Sequence, residues 1–395
     1  MIKIQVILKS GKEQSVKRFH PWIFSGAIAK INGSPAEGDV AEVFASDGSY
    51  LATGHWSPGS IAVRIFSFTR CNPDSEFFTR KIYNAWRYRL SIGLAGNPDT
   101  NVYRLVHGEG DGLPGLIIDI YGNVAVLQAH TAGFWHMRDA LAAAVLDVMK
   151  GIVVSVYDKS EGTLPFMAGL GAENGYLAGI PQGDEAVVLE NGLRFRVNWQ
   201  TGQKTGFFVD QRDNRLLLSK YSGGRNVLNM FGYTGGFSVY AMKNAAQVHT
   251  VDSSPVATAL ADENVKLNFG DDVRHKAITA DAFSFLQDMK NDYDLIVLDP
   301  PAFAKHQKVL SNALQGYRRI NAMALKKIKS GGLLFTFSCS QVVSREDFRK
   351  TLFVAAANSG REVRILHQMS QPPDHPVNIY HPESEYLKGL VLHVE

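Results

Sequence analysis

Cysteine is nearly absent: the chain has two in 395 residues, Cys71 and Cys339. That excludes a disulfide framework. Neither cysteine stands in Cys-x-x-Cys or a comparable ligand spacing, so no metal site is expected. Long apolar runs are missing too. No stretch approaches the ~20 residues needed to cross a bilayer. The opening Met-Ile-Lys-Ile-Gln-Val lacks the apolar core of a secretory signal and reads as a first strand. Neither charge sign dominates: 41 Lys and Arg against 38 Asp and Glu leave +3, which permits nucleic-acid binding without arguing for it. The dinucleotide fingerprint Gly-x-Gly-x-x-Gly is absent, which disfavours a dehydrogenase, and the phosphate loop lacks its Gly-Lys-Ser/Thr. There is no internal repeat or low-complexity tract. The remainder, 45% hydrophobic and 20% charged, describes a soluble globular chain, expected in the cytoplasm with reduced thiols and no membrane partner. Its length suits two or three domains.

The texture changes twice along the chain. Residues 1–70 alternate short strand patterns with turn signals, which predicts a small β-barrel. Residues 75–185 predict a compact α+β unit. In it a helix from Ser75 to about Leu94 carries Phe78, Ile82, Trp86 and Leu90 at helical spacing. A second helix is expected over Phe134–Met149. After a hairpin-like stretch, Ala186–Trp199, residues 186–395 alternate buried strands with helices, the signature of βαβ units and a parallel sheet. The expected fold class is therefore α/β, a C-terminal Rossmann-like domain preceded by a β-barrel and a central α+β domain.

Chemistry concentrates at the predicted strand ends, the edge where open parallel sheets bind ligands. Asn229-Met230-Phe231-Gly232-Tyr233-Thr234-Gly235-Gly236 follows one strand and precedes a helix, as a glycine turn that cradles a ligand with its backbone should. The next strand ends at Asp252, suited to ribose hydroxyls. The third ends before Asp281, suited to an adenine amino group or simply to capping the helix that follows. A fourth ends in Asp299-Pro300-Pro301-Ala302-Phe303, where the prolines stop the strand and hold the carboxylate near the edge. Phe335-Thr-Phe-Ser-Cys-Ser340 ends a fifth and carries Cys339. A thiol and a carboxylate are thus aimed into one cleft, a pairing that suits nucleophilic attack on a nucleobase. Polar, glycine-punctuated Gln200–Arg212 is expected to form a lid, and Lys17-Arg18-Phe19-His20-Pro21-Trp22 sets two cations beside aromatics. His375, His381 and Glu383 lack ligand spacing and read as loop residues.

Thr201–Arg212, Asn229–Phe237, Asp299–Phe303 and Ser338–Ser340 together resemble one family, the bacterial 23S ribosomal RNA cytosine-C5 methyltransferases that use S-adenosylmethionine. His20-Pro21-Trp22-Ile23-Phe24 resembles that family's N-terminal PUA domain, and Gly112-Leu113-Pro114-Gly115-Leu116 its central domain, so the likeness covers nearly the whole chain. The resemblance implies that Cys339 is the nucleophile and that Asp299 serves both base and cofactor. Asn229, Phe231, Gly232, Tyr233 and Gly235 would line the cofactor pocket, joined by Asp252 with Ser253 and Asp281 with Ala282. Lys17, Arg18, His20 and Trp22 would bind RNA, with 23S RNA or a large-subunit precursor particle as partner. A homodimer is the assembly allowed for. Unlike many RNA cytosine-C5 methyltransferases, this chain has Ala302 where a second cysteine would assist product release. Two alternatives stand: an amino-group methyltransferase acting on adenine or guanine in RNA, and a non-catalytic RNA-binding assembly factor. In the first, an aromatic would follow Asp-Pro-Pro directly, whereas Ala302 intervenes here before Phe303.

Overall fold

A computed structural model describes all residues except 1–3, 166–168, 291 and 305. The chain packs as two units. One contains the chain up to Leu189 together with Val197–Val209 and Pro373–Ser384; the other contains Glu190–Arg196, Asp210–Pro372 and Glu385–Glu395.

The first unit opens with strands β1 (Ile4–Leu8), β2 (Trp22–Phe24), β3 (Ile28–Asn32), β4 (Val40–Phe44), β5 (Tyr50–Trp56) and β6 (Ile61–Ser67), and a one-turn helix α1 (Gln14–Lys17). They form a six-stranded sheet in the order β2-β6-β5-β4-β1-β3. Alternating residues such as Val6, Leu8, Val63 and Ile65 bury one face. The short strands β2 and β3 have no counterpart among the predicted elements, since three to five residues carry too little periodicity to register.

Helix α2 (Ser75–Ser91) follows, capped by Asp74, whose side chain accepts from the Phe77 amide at 3.0 Å. Its buried face departs from the expected one. Phe78 and Ile82 are buried, but the stripe then turns to Ala85 and Arg89, leaving Leu90 40% exposed. Arg89 can take that core position because its charge is met: the guanidinium pairs with Asp111 and donates to the Arg104 carbonyl at 2.8 Å.

Five strands, β7 (Val102–His107), β8 (Leu116–Tyr121), β9 (Val124–Ala129), β10 (Ser155–Asp158) and β11 (Gly175–Gly179), order as β11-β10-β9-β8-β7. The single helix expected over Phe134–Met149 is two, α3 (Ala132–His136) and α4 (Arg138–Val148). Thr131 caps α3, and Gly133 lies so close to the His55 ring that any Cβ there would collide with it.

His55 sits in that aromatic packing, 4.8 Å centroid to centroid from both Phe66 and Phe134, and burial drives its pKa down to about 3. His130 is lowered to about 4 by the same cause. Both are neutral in the folded state, whereas the unfolded chain takes up their protons near pH 6.5. Their stabilisation is therefore complete above pH 6.5 and is lost as pH falls towards the folded values. The loss is about 1.4 kcal/mol per pH unit for each histidine. Urea unfolding followed from pH 7.5 to 4.5 is expected to show this decline, and His55→Leu to flatten part of it; a profile unchanged by the substitution would contradict the neutral burial.

Strands β12 (Glu185–Glu190) and β13 (Leu193–Asn198) form a hairpin along which the chain passes between the units. Of the expected lid, Gln200–Arg212, the stretch from Thr205 onward is packed, while Gln200, Thr201, Gln203 and Lys204 are exposed. In the first unit Thr205 is fully buried and its hydroxyl donates to Asp119 at 2.6 Å, while the Phe207 amide donates to Tyr121 Oη at 3.2 Å. Past Val209 the segment enters helix α5 (Arg212–Tyr221), which the sequence did not announce.

The second unit is built on β14 (Asn226–Met230), β15 (Gln247–Asp252), β16 (His275–Thr279), β17 (Leu295–Leu298), β18 (Gly332–Ser338), β19 (Val363–Ser370) and β20 (Lys388–Val394). Its helices are α6 (Gly236–Met242), α7 (Pro255–Phe269), α8 (Ala282–Asp288), α9 (Leu310–Lys327) and α10 (Arg345–Ser359). The sheet order is β16-β15-β14-β17-β18-β20-β19. The first five strands run parallel and the last two join antiparallel, the mixed α/β architecture expected. Strand order reverses direction between β14 and β17, the topological switch point at which such sheets bind ligands.

Candidate active site

Because the five strands are parallel, their carboxyl ends share one edge of the sheet. Across that edge, in spatial order, come Asp281, Asp252, the glycine loop after β14, Asp299 and Cys339. The three candidate cofactor elements therefore occupy one side of the switch point, and the candidate base-facing groups the other.

The glycine loop is tightly wound. Phe231 and Tyr233 adopt positive φ of 57° and 43°, conformations that non-glycine residues rarely hold and that cluster at functional sites. The loop is fixed by the Tyr233 amide donating to Asp252 Oδ2 at 3.0 Å and the Gly232 amide donating to the Val251 carbonyl at 3.0 Å. An added Cβ at Gly232 would collide with Thr250, and one at Gly235 (φ 77°) would stand 2.9 Å from the Ala261 Cβ. Asn229 is buried. Its amide nitrogen donates to Ser238 Oγ at 2.9 Å, while its Oδ1 has no hydrogen-bond partner among the described residues.

Asp252 is half-buried, and its other oxygen accepts from the Ser254 amide at 2.9 Å; Ser253 is exposed beside it. Asp281 caps α8, accepting from the Ser284 amide at 2.9 Å, and that bond holds its carboxyl below the usual carboxylate range. Asp281 is exposed at the start of α8, so the two roles foreseen for it do not exclude each other. Ala282, the first residue of α8, is buried.

Asp299 is half-buried and accepts from Gln211 Nε2 at 3.0 Å; Gln211 is itself held by Asn214, which donates to Gln211 Oε1 at 2.6 Å. Sequence reasoning placed Gln211 in a lid, and nothing local marked it as the partner of a carboxylate 88 residues away. The half-buried Cys339 thiol donates to the Pro300 carbonyl at 3.8 Å, which ties the ends of β17 and β18 together. The ring of Tyr317 in α9 lies 4.6 Å from that of Phe303, tilted by 44°, and burial raises its phenol to about 12, so it remains protonated beside Cys339 and Asp299.

In the first unit, Lys17 and Arg18 are exposed, whereas His20 and Trp22 are only half-exposed. Trp22 Nε1 donates to Glu109 at 2.9 Å. The exposed rings are Phe19, Phe24 and Tyr380 instead, with Phe19 5.3 Å from Tyr380. Chain folding also gathers the ligand atoms of His20, His381 and Glu383 within 4.8 Å of one another, a proximity that sequence spacing could not show.

A protein-family model described as S-adenosylmethionine-dependent methyltransferase matches residues 171–390. This chain belongs to the S-adenosylmethionine-dependent methyltransferases. A second match, described as a PUA-like domain, covers residues 6–68 of the methyltransferase. Over 401 residues it is 38% identical to "Ribosomal RNA large subunit methyltransferase I" of Aeromonas salmonicida (strain A449), covering 99% of each chain. Over 397 residues it is 39% identical to the protein of the same name from Erwinia tasmaniensis, again covering 99% of each. A solved methyltransferase, SMU.776, complexed with SAH, matches with a TM-score of 0.85 at 25% identity over 100% of both chains. The cofactor of the methyltransferase is S-adenosylmethionine. The residues at the edge fit such a group: an orphaned buried amide oxygen at Asn229, a loop held in left-handed turns, and the Asp252 and Asp281 carboxylates at neighbouring strand ends. Among the described residues no helix is long and apolar enough to cross a membrane.

Proposed function

We propose that this methyltransferase forms 5-methylcytosine in the RNA of the large ribosomal subunit, through a covalent adduct between Cys339 and cytosine C6. The observation that carries the reading is the adjacency of β17 and β18, which end in Asp299 and Cys339 on the same edge as the glycine loop. The names of the relatives support the RNA substrate, and the PUA-like match supports RNA binding by residues around Lys17, Arg18, His20 and Trp22.

Cytosine C5 is too weak a nucleophile to take a methyl group unaided. The thiolate of Cys339 adds to C6, which makes C5 enamine-like; C5 accepts the methyl group as the sulfonium's S–CH3 bond breaks to leave a neutral thioether. C5 then gives its proton to a base while the S–C6 bond breaks and its electron pair returns to the Cys339 thiolate. Asp299, held by Gln211, hydrogen-bonds the N3/N4 side of the base and stabilises the charge that develops there. S-adenosylmethionine supplies an electrophilic methyl on a sulfonium. On this reading Asp252 and Ser253 hold its ribose, Asp281 and Ala282 its adenine, and Asn229 with Phe231, Gly232, Tyr233 and Gly235 the remainder. A target paired in a helix would be flipped out first. The three functional parts are residues 1–70, 75–185 and 186–395, and the working compartment is the cytoplasm.

The test is methyl transfer from labelled S-adenosylmethionine to 23S RNA that lacks this modification, followed by nucleoside analysis. The expected product is 5-methylcytidine. Label in N6-methyladenosine or N2-methylguanosine would move the assignment to amino-group methylation, the reading in which Cys339 has no chemical role.

A further inference from the structure

The segment Pro373–Ser384 returns to the first unit and packs there against the start of β2. It carries His381, whose ring centroid lies 4.2 Å from that of Trp22 and 5.5 Å from that of His20. His381 is 1% exposed, and neither ring nitrogen has a hydrogen-bond partner among the described residues. An imidazole buried with both nitrogens unpaired is costly unless something binds them. What stands beside it is a second imidazole and a carboxylate. His381 Nε2 is 3.7 Å from Glu383 Oε2, and His20 Nε2 is 3.8 Å from Glu383 Oε1. Both separations are too long for hydrogen bonds, so neither pair satisfies its histidine.

We propose that His20, His381 and Glu383 are the ligands of a zinc-like divalent cation, which pins the returning segment to the sheet of the first unit. One ligand atom from each residue lies within 4.8 Å of the other two. Around a tetrahedral zinc, atoms about 2.0–2.1 Å from the metal stand about 3.4 Å from one another, so each side chain closes on the ion by about 1 Å or less. The backbone of Trp22 suits His20 to the role. His20 Nδ1 lies 3.1 Å from the Trp22 carbonyl and 3.2 Å from its amide, and the tautomer that donates to the carbonyl leaves the Nε2 lone pair for the cation. Trp22 is itself fixed: its Nε1 donates to Glu109 at 2.9 Å, and the Glu109 carbonyl accepts from Asn378 Nδ2 at 3.3 Å. The Glu383 side chain is 48% exposed, which gives the ion a way in and water a fourth position. Two imidazoles and one carboxylate suit zinc, cobalt or nickel, whereas calcium and magnesium take oxygen donors. Local spacing could not announce the site, because its ligands come from opposite ends of the chain. The cation has no part in the chemistry assigned to Cys339, and the exposed Lys17 and Arg18 are left to meet RNA.

The test is zinc titration of the untagged full chain, stripped of metal and carrying Cys71→Ser and Cys339→Ala so that no thiol competes, against a chromophoric chelator. One equivalent is expected to bind with a dissociation constant below about 10 μM. Calcium and magnesium at the same concentration are expected not to displace it. Glu383→Gln is expected to weaken zinc binding at least about tenfold, and His381→Phe, which keeps a ring against Trp22, about a hundredfold. Zinc is also expected to slow chymotryptic cleavage after the half-exposed Tyr380 about tenfold, an effect that Glu383→Gln removes. A constant above 10 μM, or one unchanged by Glu383→Gln, overturns the proposal, and the parent titration decides even if a variant does not fold. Tight binding that leaves cleavage at Tyr380 unchanged rejects the pinning role.

Discussion

A Cys339→Ala protein is expected to bind S-adenosylmethionine as the parent does and to transfer methyl about a thousandfold more slowly or worse. The two effects separate because of where Cys339 stands. It ends β18, with β17 between it and the β14 loop that forms the candidate cofactor cradle. Removing Sγ leaves that loop, its Asp252 anchor and the Asp299–Gln211 bond in place. On the proposed mechanism what disappears is the thiol that adds to C6, and without the adduct C5 remains an unactivated aromatic carbon. Single-turnover transfer to unmodified RNA, beside calorimetric titration of the cofactor, reads both quantities. A variant that still transfers at the parent rate would return Cys339 to the status of a packed strand residue.

Glu190→Ala is expected to destabilise the second unit by about 3–5 kcal/mol, the penalty for leaving one partner of a buried ion pair alone. Glu190 is fully buried; its carboxylate accepts from Arg215 at 2.6 and 2.8 Å and from the Tyr240 hydroxyl at 3.0 Å. Arg215 has 3% side-chain exposure and burial would disfavour its charge, yet Glu190 holds its pKa above the ordinary value. The damage should reach the cofactor. A Cβ on Gly236, the first residue of α6, would stand 3.1 Å from Arg215 Cδ, so a guanidinium that moves to find water disturbs the helix directly behind the glycine loop. Urea unfolding and cofactor titration are expected to fall together. Replacing both partners, Glu190→Leu with Arg215→Met, should be milder than the single change because no lone charge remains. Equal stability of Glu190→Ala and parent would show the pair to be inert.

The second unit was legible because parallel, doubly covered strands write themselves as apolar runs. Asn226–Met230 was bounded without error and the other parallel strands to within two residues, whereas antiparallel β19, expected over Glu362–Leu366, runs on to Ser370. Their order along the chain then located the edge on which Asp252, Asp281, Asp299 and Cys339 lie. Residues whose importance depends on partners far along the chain were less visible. Gln211 and helix α5 were hidden in a polar stretch that reads as loop. Trp22 and His20 were recognised by type, but their half-burial against Glu109 and Glu383 could not be read from residues that close the first unit more than 80 positions later.

The order in which β20 joins the sheet has a consequence for synthesis. The chain leaves the second unit after Pro372, runs through Pro373–Ser384 in the first, and returns to lay β20 between β18 and β19. A nascent chain that has emerged only as far as β19 therefore carries an unfilled slot beside β18: seven residues of apolar strand with open hydrogen-bonding groups, ready to pair with another polypeptide. Premature termination or slow release in this stretch would yield a sticky chain, so protection from aggregation would arrive only with the last strand.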